Sequence, residues 1–218
     1  MNFNTVCLPI TLAVLQACTL ANTDPEKSSL YSEQQNQEFI KPRDVLKFAS
    51  GEVVSDCKGY LKLSPQQAVS EEYSNKINAK QYLVCDLFGA YGPNSILPSE
   101  PGFDPELGQE ICKELNLLSF EHSLRPMLDG NPITLKDVFK ADAIPNGTEC
   151  KVDTKDRSFT IRVVLKDTSP KGEVRFLATV CDEIKDGNYQ DYQSIWIYRS
   201  DSNKKPGMKA GSLYLPTQ

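Results

Sequence analysis

The second half of the chain shows the clearest pattern of hydrophobic and polar positions. Between residues 159 and 166 every odd-numbered position is apolar, and between 174 and 180 every even-numbered position is apolar. A period of two residues is typical of half-buried strands, because successive side chains of a strand point to opposite faces. The sequence Ser-Pro-Lys-Gly at 169–172 is typical of a turn. The predicted antiparallel hairpin pairs Leu165 with Val174, Val163 with Phe176, Ile161 with Ala178 and Phe159 with Val180.

Three further segments extend this predicted sheet. Residues 193–199 predict a third strand and residues 212–215 a fourth. Residues 149–152, which follow the turn sequence Pro-Asn-Gly at 145–147, predict a strand beside 159–166. Because these segments follow one another closely, we expect a meander in which neighbouring strands pair antiparallel.

The segment before residue 91 carries helix signals. A proline near its start and a glycine past its end predict a short helix at 41–49. The sequence Ser-Pro-Gln-Gln at 64–67 fits a capping box, so we expect a longer helix to begin at Ser64. Apolar residues at helical spacing extend this helix toward residue 89. The alternative is a break near residue 78 that is followed by a strand at 82–88.

Two more helices are predicted between residues 104 and 139. Asp104 and Pro105 provide a cap and a first helical residue, and apolar residues then recur on one face. These residues are Leu107, Ile111, Leu115 and Leu118, with Cys112 beside them. Thr134 caps a short helix at 135–139.

These elements predict an α+β protein in which N-terminal helices pack on a C-terminal antiparallel β-meander. We expect a single domain over residues 38–218, with a helical part at about 41–140 and a β part at about 149–215. The chain has 218 residues, of which 39% are hydrophobic and 24% charged, which is typical of a folded globular body. Its net charge of -5 comes from interspersed acids and bases, so we expect no nucleic-acid partner.

The N-terminus has a different composition from the rest of the chain. Residues 1–23 contain no Asp, Glu, Lys or Arg, and residues 6–15 form an apolar run. A run of about ten residues matches the core of a secretory signal peptide, whereas a membrane-spanning helix needs about 20. The sequence therefore predicts a signal peptide that is removed on export.

The end of this run resembles the lipobox of bacterial lipoproteins. Residues 15–18 read Leu-Gln-Ala-Cys, with a leucine three residues before a cysteine and a small residue directly before it. The resemblance implies that residues 1–17 are removed and that Cys18 is acylated as the first mature residue. Thr19 is not the aspartate that holds enterobacterial lipoproteins at the inner membrane, so the resemblance implies outer-membrane sorting. The polar residues 18–37 then predict a flexible tether.

Two alternatives for the N-terminus stay open. The small residues of Thr19-Leu20-Ala21 also fit an ordinary cleavage site, which would give a secreted or periplasmic protein without lipid. The second alternative is a cytosolic chain with a buried N-terminal helix.

Cysteine usage agrees with export. Beyond Cys7 and Cys18, the chain has five cysteines, which are Cys57, Cys85, Cys112, Cys150 and Cys181. There is no C-x-x-C and no Cys/His cluster, so we expect no metal site. In an oxidising compartment five cysteines predict two disulfides and one free thiol. The alternative is five buried, reduced cysteines.

The predicted hairpin register suggests one disulfide. It places Ser158 opposite Cys181, and a strand at 149–152 brings Cys150 toward the same end of the sheet. We therefore expect a Cys150–Cys181 disulfide, which requires Cα atoms within about 7 Å. If the two cysteines lie farther apart or on opposite faces, Cys150 is expected to pair with a helical cysteine.

Motifs of catalysis or cofactor binding are absent from the sequence. G-x-S-x-G, H-E-x-x-H, P-loop and G-x-G-x-x-G patterns do not occur, so we expect no cofactor and assign no catalytic residue. His122 is the only histidine and must serve any Ser-His or Cys-His mechanism. We expect it instead to have a surface or capping role.

An aromatic cluster near the C-terminus is the candidate for partner binding. Its members are Tyr189, Tyr192, Trp196 and Tyr198. If these rings are exposed, they resemble the aromatic patches that anchor protein or sugar partners. The alternative is that the sheet is buried on both faces.

The sequence thus predicts an exported, lipid-anchored protein of the cell envelope that faces the periplasm and binds a macromolecule without catalysis. An inhibitor, an immunity protein or an accessory subunit would fit, with an envelope protein or a glycan as the partner. The alternative is an envelope hydrolase that uses a carboxylate site, for which a deep pocket with converging acids would be the structural sign.

Overall fold

The computed structural model describes residues 37, 39–91, 95–128, 133–169, 172–187, 189–200 and 207–212. The helices are α1 (Cys57–Leu63), α2 (Tyr73–Ala79), α3 (Leu83–Ala90), α4 (Leu107–Glu114) and α5 (Leu135–Phe139). Short 3-10 turns lie at Lys80–Tyr82, Leu117–Ser119, Arg125–Met127 and Lys140–Asp142. The predicted signal peptide, the lipidation site at Cys18 and nearly all of the tether lie outside the described residues.

The strands form two antiparallel sheets. Strands β1 (Leu46–Lys47) and β2 (Val53–Val54) make a small hairpin. The large sheet has six strands in chain order, and it confirms that the protein combines helices with an antiparallel meander. Its strands are β3 (Ala143–Asn146), β4 (Glu149–Asp153), β5 (Arg157–Thr168), β6 (Val174–Ile184), β7 (Gln190–Ser200) and β8 (Gly207–Ser212). The sheet begins at residue 143 rather than 149, and β8 ends at Ser212, so the rest of the last predicted strand, 213–215, lies outside the described residues.

The predicted register of the central hairpin is wrong by two residues up to Val163 and by three residues from Leu165 onward. Ile161 lies opposite Val180, and Thr168 lies opposite Val174. The strands continue closer to the turn than the apolar alternation indicated, which moves the centre of the hairpin. A shift of two residues keeps the same faces together, so apolar positions still oppose each other. A bulge between Val163 and Leu165 then changes which side chains of β5 point to each face of the sheet.

Each face of the large sheet is covered by helices. One face carries the main core, where α4 and α5 pack on β3, β4 and β5. After the bulge, Leu165 lies on the other face with Leu177 and Trp196, and Leu87 of α3 packs against them. A third apolar cluster lies under β1, β2 and α1 to α3, with Tyr60 and Tyr82 in contact at its centre. The sheet is therefore the middle of three layers.

Two of the predicted helix positions are wrong. Residues 42–45 have no regular structure and Leu46–Lys47 is a strand, because Gly51 turns the chain back with a φ of 90° to pair it with β2. Ser64 caps the end of α1 rather than the start of a helix. The sequence signal for α1 is Asp56, whose Oδ1 accepts a hydrogen bond from the Gly59 N–H at 2.7 Å.

Other helices form at or close to their predicted positions. Of the two alternatives for residues 78–89, the helical one is confirmed by α2 and α3, with a 3-10 turn between them. Helix α4 begins at Leu107 rather than at Pro105, with Asp104 accepting a hydrogen bond from the Glu106 N–H, and it ends at Glu114, before Leu115 and Leu118. At α5, Thr134 and Asp137 form a full capping box.

Among the five cysteines of the described residues, two disulfides form and one thiol, Cys181, is free, and the cysteine count predicted these numbers. Cys57–Cys85 joins α1 to α3, and Cys112–Cys150 joins α4 to β4. The predicted Cys150–Cys181 pair is wrong. Cys150 lies opposite Ile161, while Cys181 lies opposite Thr160, whose side chain points to the other face. Cys150 pairs with a helical cysteine instead.

Candidate functional site

The four aromatic residues proposed for partner binding do not form an exposed patch. Trp196 and Tyr192 are each 6% exposed. The Arg175 guanidinium lies 4.0 Å from the centre of the Trp196 ring, which packs on Leu165 and Leu177. Tyr189 is half-buried, and Tyr198 is exposed at 37%. At Trp196 the structure agrees with the alternative of a sheet that is buried on both faces.

His122 is buried, and both of its ring nitrogens contact the backbone. Nε2 lies 2.8 Å from the Leu117 carbonyl oxygen, and Nδ1 accepts a hydrogen bond from the Leu124 N–H at 3.1 Å. This arrangement requires the neutral tautomer with its proton on Nε2. Burial lowers the pKa of His122, which also favours the neutral form. The expected surface position is wrong, and no side chain caps the 3-10 turn that follows at Arg125–Met127.

The serine and cysteine nucleophiles that a histidine mechanism could use are held in structural contacts or kept protonated. Ser123 Oγ donates to Asp182 Oδ1 at 3.0 Å, and Arg157 Nη1 lies 3.1 Å from the same oxygen. Burial raises the pKa of the Cys181 thiol, which keeps it protonated. Since the chain has one histidine and both of its nitrogens are occupied, a Ser-His or Cys-His mechanism has no available base.

A polar cleft lies between the helices α1 to α3 and the start of β7. Its volume is about 300 Å³. The helical wall includes Tyr60, Ser64, Lys76 and Asp86, the loop 67–71 contributes Glu71, and the sheet contributes residues 191–194. Contacts of α2 and α3 with β7 hold the two walls together. We call this feature the polar cleft.

Two serine hydroxyls of the polar cleft have no hydrogen-bond partner among the described residues. Ser64 is 6% exposed and Ser194 is 9% exposed, and both serines line the cleft. A buried hydroxyl without a partner destabilises a protein by about 1–3 kcal/mol. Such groups are retained where a ligand or water completes their hydrogen bonds.

Acidic side chains dominate the charge of the polar cleft. Glu71 Oε2 lies 2.6 Å from Lys76 Nζ, and Glu121 pairs with Arg125. Asp191 Oδ2 accepts a hydrogen bond from Gln193 Nε2 at 3.2 Å. Asp86 is 2% exposed.

The pKa of the Asp191 carboxyl group is raised above its usual value. Burial raises it most, and the Asp182 and Glu71 charges raise it further. Lys76 and the Gln193 hydrogen bond act in the opposite direction without reversing the shift. The surroundings of Asp191 in the cleft therefore favour the protonated form of its carboxyl group over the ionised form.

Sequence reasoning missed the polar cleft because its walls are far apart in the chain. Two local signals were present. Asp86 interrupts the apolar run Leu-Val-Cys-Asp-Leu-Phe at 83–88, and Ser194 precedes the apolar strand residues Ile195 to Ile197. Polar residues at positions that the hydrophobic pattern predicts to be buried are candidates for a buried site.

Within the described ranges, no group of three His, Cys, Asp or Glu side chains is placed to hold a metal ion. None of the described helices has the length and apolar character needed to cross a membrane. Comparisons of the chain with protein-family models, curated proteins and solved structures found no match.

Proposed function

We propose that the protein is exported to the cell envelope, is anchored by a lipid on Cys18, and binds another macromolecule without catalysing a reaction. The observation that carries the binding role is the polar cleft, where the hydroxyls of Ser64 and Ser194 lack partners. The unavailability of both His122 nitrogens supports a non-catalytic role.

The two disulfides are compatible with an oxidising, exported location. In this proposal residues 18–37 are the tether, and residues 38–218 are one α+β domain whose N-terminal helices pack on the meander. The protein faces the periplasm from the outer membrane. A role as an inhibitor, an immunity protein or an accessory subunit fits a body held close to the membrane.

The anchor is tested by replacing Cys18. We expect Cys18→Ser to move the protein from the membrane fraction to the soluble fraction, since the sequence offers a single lipobox. Cys7→Ser is the matched control, because Cys7 lies inside the removed segment, and it should leave the fractionation unchanged. Mass spectrometry that finds an unmodified chain beginning at Asn22, or an intact chain beginning at Met1, would contradict the anchor.

The binding role is tested by removing the two hydroxyls. We expect Ser64→Ala with Ser194→Ala to lose a partner that is cross-linked to the wild-type protein in intact envelopes. The variant should melt at the same temperature as the wild type or higher, because neither buried hydroxyl has a partner in the described structure. Ser99→Ala, an exposed serine outside the cleft, should behave like the wild type. Equal cross-linking of all three proteins would place binding elsewhere.

One observation favours the alternative, an envelope hydrolase with a carboxylate site. Asp86 and Asp191 line the same cleft, and a carboxyl group with a raised pKa suits a general acid. A hydrolase requires that purified wild-type protein cleaves an envelope polymer such as peptidoglycan and that Asp191→Asn does not. Binding without cleavage by either protein would leave the non-catalytic role in place.

A further inference from the structure

Acidic side chains outnumber basic side chains in the lining of the polar cleft. Four of them are acidic, namely Glu71, Asp86, Glu121 and Asp191, and one is basic, Lys76. Lys76 pairs with Glu71, and Arg125 pairs with Glu121. Asp191 has the amide of Gln193 as its hydrogen-bond donor, and the charge of Lys76 also acts on it. The cleft is therefore suited to a ligand group that carries positive charge.

The unpartnered hydroxyls favour the same kind of ligand. A serine oxygen has two lone pairs, and an ammonium group has three N–H donors and no acceptor. Ser64, Ser194 and Asp191 supply acceptor oxygens from the end of α1 and from β7. An ammonium group placed among them would complete the hydrogen bonds of the hydroxyls and pair with the carboxylate.

The protein's own lysines show how this region binds ammonium groups. Lys76 Nζ lies 2.6 Å from Glu71 Oε2 and 5.5 Å from the centre of the Tyr189 ring. Lys80 Nζ lies 4.7 Å from the centre of the Tyr192 ring, which lines the cleft. Carboxylates and tyrosine faces thus act together on cations at two places beside the cleft.

The size of the cleft limits how much of a ligand enters it. About 300 Å³ is the lower end of the range for sites that bind small molecules. One side chain of a larger partner fits this space, whereas a whole folded element does not.

We infer that the polar cleft receives the ammonium group of a lysine side chain from a basic segment of the partner protein. This inference rests on the proposed binding function. It assigns Asp191 as the carboxylate that pairs with the ammonium group, and Ser64 and Ser194 as hydrogen-bond acceptors for it.

The experiment measures binding of short peptides to the full-length mature protein by isothermal titration calorimetry. The probe is an alternating Ser-Lys peptide with blocked ends, and the control is the same peptide with each lysine acetylated, which removes the charge. We expect the lysine peptide to bind at least tenfold more tightly, and to weaken as salt is added. Equal affinity for the two peptides would overturn the inference.

Variants of residues in the cleft test whether the lysine peptide binds there. Asp191→Asn should weaken lysine-peptide binding at least tenfold, and Ser194→Ala should weaken it about threefold to tenfold. Asp142→Asn, an exposed acid outside the cleft, is the matched control and should leave binding unchanged. If Asp191→Asn and Asp142→Asn behave alike, the lysine does not enter this cleft and the inference fails.

Two further outcomes separate this inference from the proposed function. Binding of free cadaverine as tight as that of the peptide would identify a small amine as the ligand and would overturn the role of a partner's lysine. Binding of the acetylated peptide that is lost in the double serine variant would overturn the lysine but keep the binding role. Absence of peptide binding together with absence of a cross-linked partner would overturn both.

Discussion

Asp191 lowers the stability of the folded protein and is also the carboxylate that we assign to ligand binding. Its folded-state pKa is raised mainly by burial, so the ionised carboxylate is less stable in the folded protein than in the unfolded chain. Because the pKa is raised on folding, the contribution of Asp191 to stability is fully present at pH values below its pKa in the unfolded chain. This contribution is lost as the pH rises through its pKa in the folded protein. Neutral pH is therefore where this side chain destabilises the protein.

We predict that Asp191→Asn raises the free energy of unfolding at pH 7.5, because the amide removes the charge at nearly constant shape. The gain should be smaller at pH 4.5, because a raised pKa lets the wild-type carboxyl group take up its proton at a higher pH in the folded protein than in the unfolded chain. Urea unfolding at both pH values measures the difference, with Asp142→Asn as the exposed control. A variant that is less stable than the wild type at pH 7.5 would show that Asp191 is held by favourable contacts.

His122 predicts a pH dependence of the opposite sign. Its folded-state pKa is lowered from 6.5, chiefly by burial, so below about pH 6.5 the unfolded chain takes up a proton that the folded protein does not. Stability should therefore fall as the pH drops through this window. In His122→Gln the difference between the free energies of unfolding at pH 7.5 and 5.5 should be smaller than in the wild type. An unchanged difference would mean that other groups cause the dependence.

At the scale of elements, Gly108 fixes how closely α4 approaches the β3–β4 turn. A Cβ atom at this position would lie 2.2 Å from the Glu149 carbonyl oxygen and 2.7 Å from that of Gly147. The Gly108 N–H donates to the Gly147 oxygen at 2.8 Å. Because backbone atoms cannot move aside alone, a methyl group would push the helix away from the sheet.

We predict that Gly108→Ala destabilises the protein by about 3 kcal/mol or more, as overpacking against backbone does. Gly89→Ala is the matched helical control, since its Cβ would meet the tip of the flexible Leu61 side chain. That change should be close to neutral, because alanine favours a helix over glycine by about 1 kcal/mol. Equal melting temperatures for the two variants would contradict this account of α4 packing.

Elements with local signals could be predicted from the sequence, and those that depend on distant contacts could not. The cap that Thr134 provides for α5 uses neighbours within one turn and was predicted. The signal at Ser64 was equally local, but the chain before it folds into α1, which Asp56 caps and the Cys57–Cys85 disulfide holds on α3. Tertiary contacts therefore override a valid cap.

The strand pattern and the cleft show the same limit. Alternation identified β5 and β6 but could not reveal the bulge after Val163, which depends on packing at both faces. The wrong register then misplaced Cys181 and produced the wrong disulfide. The polar cleft joins Ser64 to Ser194, and no spacing within the sequence brings these two residues together.

At the scale of the whole molecule, the disulfides fasten both helical layers. Cys57–Cys85 closes a sequence separation of 28 residues within the layer of α1 to α3, and Cys112–Cys150 closes one of 38 residues between α4 and the sheet. Loop-closure entropy gives each about 4 kcal/mol of stabilisation. Since a typical domain is stable by about 5–15 kcal/mol in total, the two bonds together provide a large share.

We predict that replacing either cysteine pair with alanine lowers the free energy of unfolding by about 2–5 kcal/mol. Removing both pairs should leave the body largely unfolded at 37 °C, because the two sites are separate and their effects add. Cys181→Ala is the control that removes the free thiol and should change stability by less than about 1.5 kcal/mol. Thermal unfolding with and without a reducing agent provides a second measurement. If the reduced wild-type protein keeps its melting temperature within a few degrees, the fold does not depend on an oxidising compartment, and the disulfides no longer support export.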